Sequence, residues 1–345
     1  MANNLLKGEK PEMDIAPDSV TVQSNITLAR HGFVKELFSS NLTIVIALLI
    51  AVLIGGAIFV PTMMQSNNLI NVVRTSAIVG TVAIGSTLVL LVGELDLSLG
   101  GTMCFSLILG SLFIGKSSEA VVLTVTVLSG LVLGTFNGFI VTKFKINSFM
   151  ATLSTLIIFS GIANLVAGGK TAYLYQSPFY MWLGKGSLSG IPVPIIIFFV
   201  FVIILSIVLH FTKLGMEIYF TGANALAAWY AGIHTSAIKI FAFAVSGFCS
   251  AVAGIFLVGQ INEIVPTIGP GYELTGLAIA VFGGTSMRGG TGSILGTAVA
   301  VITFELLINI LTLSGMGTYM EGMLKGVFLI IIVIVFEKLN KRKRV

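Results

Sequence analysis

Charge is the scarcest property of this chain. Asp, Glu, Lys and Arg make up 10% of its 345 residues and 56% are hydrophobic, whereas a soluble domain carries about 25% charged residues. One core could not hide so much apolar surface in water, so the shortage excludes an ordinary soluble protein and implies an integral membrane protein. Cysteine is nearly absent. Cys104 and Cys249 lie inside apolar runs, where a thiol acts as a small apolar group, so no disulfide framework is expected. The histidines His31, His210 and His234 are scattered without ligand spacing, and no cluster of carboxylates stands beside them, so no metal centre is expected. No Ser/His/Asp or Cys/His set can be assembled, which argues against an enzyme. No hydrophilic block is long enough for a soluble domain, so neither an ATPase nor a receptor domain is expected within the chain.

What the chain does have is apolar runs. They cover Thr43 to Val60, Leu69 to Val92, Leu97 to Ile114, Ala120 to Val141 and Phe149 to Ala167, then Ile191 to Phe211 and Ile238 to Val258. Leu274 to Phe282, Ile294 to Leu313 and Met323 to Phe336 complete a set of roughly ten. A membrane helix needs about 20 residues, so Leu274 to Phe282 is too short for a full crossing. The expected fold is an all-α integral membrane protein of roughly ten transmembrane segments, some of them broken or half-length.

Net charge is +5, but Lys341, Arg342, Lys343 and Arg344 crowd directly behind the last apolar run. That placement is a positive-inside anchor rather than a nucleic-acid signal. With the N-terminus inside, Lys143, Lys145, Lys213, Lys239 and Arg288 also fall on inner loops. An even segment count then puts both termini in the cytoplasm. Residues 1–40 are polar, with Pro11 and Pro17, and read as a largely disordered cytoplasmic tail, with a short amphipathic lead-in near Leu28 to Phe38. The first apolar run starts too late for a secretory signal peptide. Residues 41–338 form the polytopic domain and 339–345 the basic cytoplasmic tail.

Two glycine-rich interruptions stand out. Gly93-Glu94-Leu95-Asp96-Leu97-Ser98-Leu99-Gly100-Gly101 puts two carboxylates between apolar runs. Asp96 reads either as a helix cap, accepting from the amide of Ser98 or Leu99, or as a lining residue of a transport path. Glu94 has no capping role and is costly inside a membrane unless it faces a cavity or a partner. The second interruption lies within Thr275 to Ala298, where Gly283-Gly284-Thr285-Ser286-Met287-Arg288-Gly289-Gly290 breaks an apolar stretch. Irregular backbone at membrane depth survives only where protein or a water-lined cavity satisfies it. This turn is no phosphate loop, since it lacks the Gly-Lys-Ser/Thr ending and no strand precedes it. A pair of glycine-interrupted segments favours a central binding path. Glu305 sits mid-segment with Asn309 four residues on, on the same helix face, either as an inter-helix hydrogen bond or facing the path.

Gly130, Gly134 and Gly138, then Gly292 and Gly296, then Gly322 and Gly326 repeat at fourth positions, the spacing that lets membrane helices approach closely. Two loops are long. Residues 168 to 190 carry Tyr173, Tyr175, Phe179, Tyr180, Met181 and Trp182, suited to the outer membrane interface. Residues 212–239 hold a small apolar helix from Ala223 to Tyr230, too short to span and too apolar for a solvated linker. Such a helix wants a partner groove.

Three motifs together resemble one family. Residues 93–101 resemble the Gly-Ile-Asp-Leu-Ser-Val-Gly element of bacterial ABC importer permeases for monosaccharides, of the ribose, xylose and galactoside type, Glu94 being most like the xylose members. Thr212 to Asn224, followed by Ala227-Ala228, Ala231-Gly232-Ile233 and Ile238-Lys239-Ile240, is similar to the family's cytoplasmic coupling segment. Gly271-Tyr272-Glu273-Leu274 and Gly283 to Ser293 match its second glycine signature. The similarity runs from about residue 40 to 338. The chain departs where Ala223 replaces a second glycine, where Ala225-Leu226 replaces an acid, and where Thr275 replaces an aspartate.

The resemblance implies a permease subunit in the bacterial inner membrane, translocating a monosaccharide and catalysing nothing itself. Its implied partners are a second permease copy or a paralogue, separate ATPase subunits and an extracytoplasmic substrate-binding protein, with no nucleic acid. ATP and Mg would be bound by the ATPase, leaving this chain without a cofactor. Candidate path residues are Glu94, Asp96, Ser98, Glu273, Thr275, Thr285, Ser286 and Glu305. Candidate ATPase-coupling residues are Gly222, Asn224, Ala227, Ala228 and Gly232. Rival readings are a permease of the same superfamily for nucleosides or branched-chain amino acids, and an ion-coupled secondary transporter with broken helices.

Overall fold

A computed structural model describes residues 40–174 and 177–317, with isolated positions as far as 330. Its elements in chain order are helical, with four short strands: α1 Ser40–Phe59, α2 Ser66–Leu91, α3 Leu99–Ser111, α4 Glu119–Phe144, α5 Ser148–Ala167, β1 Ala172–Tyr173, α6 Pro178–Lys185, β2 Ser187–Leu188, β3 Ile191–Pro192, α7 Val193–Phe211, α8 Lys213–Ala223, α9 Ala225–Tyr230, α10 Thr235–Ile261, β4 Glu263–Ile264, α11 Tyr272–Phe282 and α12 Ile294–Leu313. A short 3-10 turn, Pro61–Met64, joins α1 to α2.

Seven of these helices (α1, α2, α4, α5, α7, α10 and α12) are long and apolar enough to cross a membrane, and α3 and α11 are shorter apolar helices. These nine match the expected segments in order. The tenth, Met323 to Phe336, lies largely outside the described residues, as do the expected tails at 1–40 and 339–345.

The bundle is built around α2 and α10. The most apolar window of α2 is 83% buried, against 22% for those of α1 and α4, whose large apolar side chains such as Ile54, Ile58 and Val132 stay exposed on the outer surface. In a membrane that surface faces lipid, which is as apolar as the core, so packing rather than hydrophobic burial selects the neighbours. Glycine decides which helices come closest. Gly130 and Gly134 of α4 face Gly247 of α10 backbone to backbone, and Gly138 sits against Ile240 and Phe243. The expected close packing at the first triplet is present. Gly292 differs: it lies before the α12 N-cap Ser293 and packs on Thr285 within the turn, so only Gly296 of that pair makes a helix contact, against Gly283. Gly322 and Gly326 have no described neighbour within 4 Å.

The two ends of the bundle differ. At one, β1 pairs antiparallel with β4 (Ala172 opposite Ile264), and β2 and β3 form a hairpin. The hairpin turns through Ser189 and Gly190, both with positive φ, the geometry that matches strand twist. Phe179 and Trp182 stack there with ring centroids 5.6 Å apart, both half-exposed, as interface aromatics should be. Tyr180 is not one of them. It is 1% exposed and its hydroxyl lies 2.6 Å from Thr126 Oγ1, so it is a core residue joining α6 to α4. Tyr175 lies outside the described residues. At the other end stand α8, α9 and both glycine interruptions.

The α4–α10 seam yields a prediction. A Cβ at Gly134 would overlap the Phe243 carbonyl, and one at Gly247 the Gly130 carbonyl, whereas Gly161 of α5 has nothing within 4 Å. Overpacking costs about 1–3 kcal/mol. Gly134→Ala and Gly247→Ala should each lower the melting temperature of the purified protein in detergent by several degrees, and Gly161→Ala should leave it unchanged.

Candidate functional site

The two half-length helices give the site its shape. At about 1.5 Å per residue, α3 is roughly 20 Å long and α11 roughly 16 Å, each short of a bilayer core of about 30 Å. Their N-termini meet. A Cβ on Gly100, in the first turn of α3, would overlap Glu273 Oε2 and stand 2.7 Å from the Gly269 carbonyl, just before α11. From that meeting point α3 runs to the strand end and α11 to the α8–α9 end, so the pair crosses the bundle as one interrupted span. Gly269 and Gly271 make the approach possible, with φ of 112° and 100°. The loop before α11 is pinned by the Pro266 carbonyl, which accepts from Cys104 Sγ of α3 and Asn164 Nδ2 of α5.

Two helix N-termini facing one point concentrate positive partial charge there, which favours negative groups. The chain supplies them. Both oxygens of Glu273 accept from the Gly271 amide, at 2.9 and 3.0 Å. Asp96 lies close enough for the two carboxylates to act on each other electrostatically. Asp96 Oδ1 accepts from Ser98 N at 2.9 Å and Ser98 Oγ at 2.6 Å, and Oδ2 accepts from Ser246 Oγ of α10 at 2.8 Å. The amide contact expected of a cap at Ser98 is present, but the N-cap residue itself is Ser98. Asp96 stands two residues earlier, where it can also reach α10. Asn137 Nδ2 of α4 donates to Ser98 Oγ at 2.6 Å, extending the network to a third helix. Asp96, Ser98 and Glu273 are all buried. The open face beside them is Gly271, Leu274 and the partly exposed Thr275, whose hydroxyl donates back to the Gly271 carbonyl.

The remaining candidates lie elsewhere. Glu94 forms an ion pair with Lys239 in the first turns of α10. Thr285 and Ser286 belong to the second interruption. Ser286 N donates to the Thr291 carbonyl, and its hydroxyl accepts from Arg288 N, which closes the turn. Thr285 is buried and its hydroxyl has no hydrogen-bond partner among the described residues. Glu305 is buried mid-way along α12, near enough to Tyr272 to act on it electrostatically. Asn309 makes a reciprocal amide pair with Asn68 of α2, at 2.8 and 2.9 Å.

Several functional partners carry no motif. Ser148 Oγ accepts from Leu95 N and Thr152 Oγ1 from Leu97 N, so two hydroxyls one turn apart on α5 satisfy the first interruption's backbone. From α10, Ser250 Oγ donates to the Leu99 carbonyl and Ser246 Oγ to the Asp96 carboxylate. Their signal in sequence is only a four-residue spacing of hydroxyls in an apolar helix.

The coupling candidates divide. Asn224 caps α9, its Oδ1 accepting from the amides of Leu226 and Ala227. Ala228 is buried and Gly222 is packed against backbone, whereas Ala227 and Gly232 are exposed. Around them Leu226, Trp229 and Tyr230 are all more than half exposed, an apolar knob on a six-residue helix.

A membrane protein with a span interrupted at mid-depth and an apolar knob at one end is a transport permease in outline, and comparison with known proteins supplies the family. Residues 68–333 match the family described as the permease component of the branched-chain amino acid transport system, and the chain belongs to it. The ribose import permease RbsC of Haemophilus influenzae is 33% identical over 302 residues, covering 86% of this chain and 93% of that one. RbsC of Bacillus subtilis is 35% identical over 285 residues, covering 81% and 87%. The galactofuranose transporter permease YtfT of Escherichia coli is 31% identical over 299 residues, covering 84% and 87%. A solved chain described as an inward-facing metal-chelate type ABC transporter superposes with a TM-score of 0.53 at 16% identity, covering 86% of this chain and 99% of that one, which speaks for the fold alone. The chain is thus a multi-pass inner-membrane permease.

The buried network predicts unequal losses. Asp96→Ala strands three donors in a buried setting, and each unsatisfied group costs about 1–3 kcal/mol; Ser246→Ala removes one hydrogen bond worth about 1 kcal/mol. Thermal melts of the purified variants should rank Asp96→Ala well below Ser246→Ala. Equal melting temperatures would refute the network.

Proposed function

We propose that this chain is the membrane-spanning subunit of an ATP-driven importer for a monosaccharide. An extracytoplasmic binding protein delivers the sugar at the strand end, and separate ATPase subunits, which hold ATP and Mg, drive the cycle from the α8–α9 end. The strand end faces out and both termini face the cytoplasm. A second copy of the chain closes the path along the open face at Gly271, Leu274 and Thr275. The observation that carries this reading is the pairing of an exposed apolar helix, α9, with two interrupted segments that its own preceding turn touches. A partner that grips α9 acts where the membrane domain is least regular. The relatives named for ribose and galactofuranose support a sugar as cargo. ATP binding by the partner then supplies the difference in affinity between access states that any pump requires.

The test is transport in proteoliposomes that contain the chain with its cognate ATPase and binding protein. Uptake of labelled ribose or another monosaccharide should need internal ATP and the binding protein. Uptake of leucine instead would favour the amino-acid reading, and uptake on an ion gradient without ATP would favour a secondary transporter. Trp229 should be the anchor for the ATPase, since exposed aromatics at such contacts contribute about 2 kcal/mol or more. Trp229→Ala should therefore weaken ATPase binding roughly thirtyfold, measured by titration of the purified subunits.

A further inference from the structure

The α8–α9 end holds a contact that the transport path itself does not require. The Gly290 amide donates to the Leu91 carbonyl at 3.0 Å, joining the second interruption to the last residue of α2, just before the first. The last turn of α8 wedges against that bond. A Cβ on Gly222 would overlap the Leu91 carbonyl and lie 2.5 Å from Gly290 N; one on Gly290 would lie 2.7 Å from Ala223 Cα; one on Gly289 would stand 2.7 Å from Gly93 Cα and 2.8 Å from the Gly222 carbonyl. Gly93, Gly289 and Gly290 all have positive φ, a conformation that favours glycine, and at Gly289 and Gly290 the spacing demands it as well. Two side-chain ties brace the contact. The Tyr219 hydroxyl of α8 donates to the Gly292 carbonyl at 3.0 Å, and Lys239, at the head of α10, pairs with Glu94 in the first interruption. Asn224, which caps α9, follows Gly222 by two residues.

We propose that this backbone junction is the transmission of the transporter. Tyr219, Gly222 and the Glu94–Lys239 pair are positioning residues through which a displacement of α9 moves both interruptions together. α9 is too short to deform along its length, so a push on its exposed face passes through the Asn224 cap into Gly222. Gly222 bears on the one hydrogen bond that ties α2 to the turn before α12. Since α3 starts from the first interruption and α11 ends in the second, the two halves of the interrupted span shift as a unit. The ion pair holds the first interruption to α10 during that movement. The proposal rests on the ATP-driven importer reading above, and it adds which atoms carry the coupling.

The experiment uses the assembled transporter, permease with ATPase and binding protein, in proteoliposomes, and reads ATP hydrolysed per sugar imported. Tyr219→Phe removes one hydroxyl and Lys239→Gln one charge, so neither should disturb assembly, checked by co-purification of the ATPase. Each should raise the ATP consumed per sugar by about fivefold or more, the range of ordinary coupling energies. The exchange Glu94→Lys with Lys239→Glu should restore the ratio lost in Lys239→Gln. An unchanged ratio in both single variants, or an exchanged pair no better than Lys239→Gln, overturns the transmission while the wild-type import stands. Failure of the wild type to import with ATP would overturn the importer reading and the transmission with it.

Discussion

The irregular backbone of the two interruptions answers to one constraint: inside a membrane protein little water is at hand to take an amide or a carbonyl. The interruption at 93–98 is therefore lined with hydroxyls and a carboxylate. Leu95 N goes to Ser148, Leu97 N to Thr152 and Ser98 N to Asp96. The second interruption closes on itself through Ser286 and on the end of α2 through Gly290 and Leu91. Ser148 and Thr152 in α5 and Ser250 in α10 take their meaning from that need. The helices could not pack as they do without it, because α3 starts where the first stretch ends and α11 ends where the second begins.

Glycine serves the same architecture in two physically different ways. In α4 and α10 it removes side chains so that two full-length helices lie backbone to backbone, which matters most in lipid, where no hydrophobic force draws helices together. At 93, 289 and 290 it permits positive φ, and at 289 and 290 close approach as well. The first use makes a rigid seam between α4 and α10. The second makes a compact junction of three chain segments held by few hydrogen bonds. A stiff frame beside a lightly tied junction is a suitable division for a machine that must change access from one side to the other.

Much of the fold is legible in the apolar runs, because a 20-residue run in lipid has one low-energy answer. Nine segments and their order follow from that alone, and the half-length of α11 is visible in the mere nine residues from Leu274 to Phe282. The motif residues were legible as a group but not in their roles. Glu94 and Asp96 are two positions apart in sequence, yet one pairs with Lys239 near the start of α10 and the other with Ser98 and, about two turns further along α10, with Ser246, a division that depends on how α10 lies against the interruption. Tyr180 sits among interface aromatics in sequence but is buried against Thr126, which depends on where α6 lands. Asn309 looks like a partner for Glu305 and pairs with Asn68 instead.

The sequence by itself determined that the chain lives in a membrane, the order of the nine described apolar helices and where the backbone breaks, because these depend on local composition and on the cost of exposing peptide groups to hydrocarbon. Only the tertiary structure decided that the two half-helices begin at one point and run apart, that the breaks touch each other, and that the turn before α9 bears on both. Those facts depend on contacts between residues more than a hundred positions apart, such as Leu91 with Gly222 and Gly290, and no local pattern records which distant backbone a glycine has been left bare to meet.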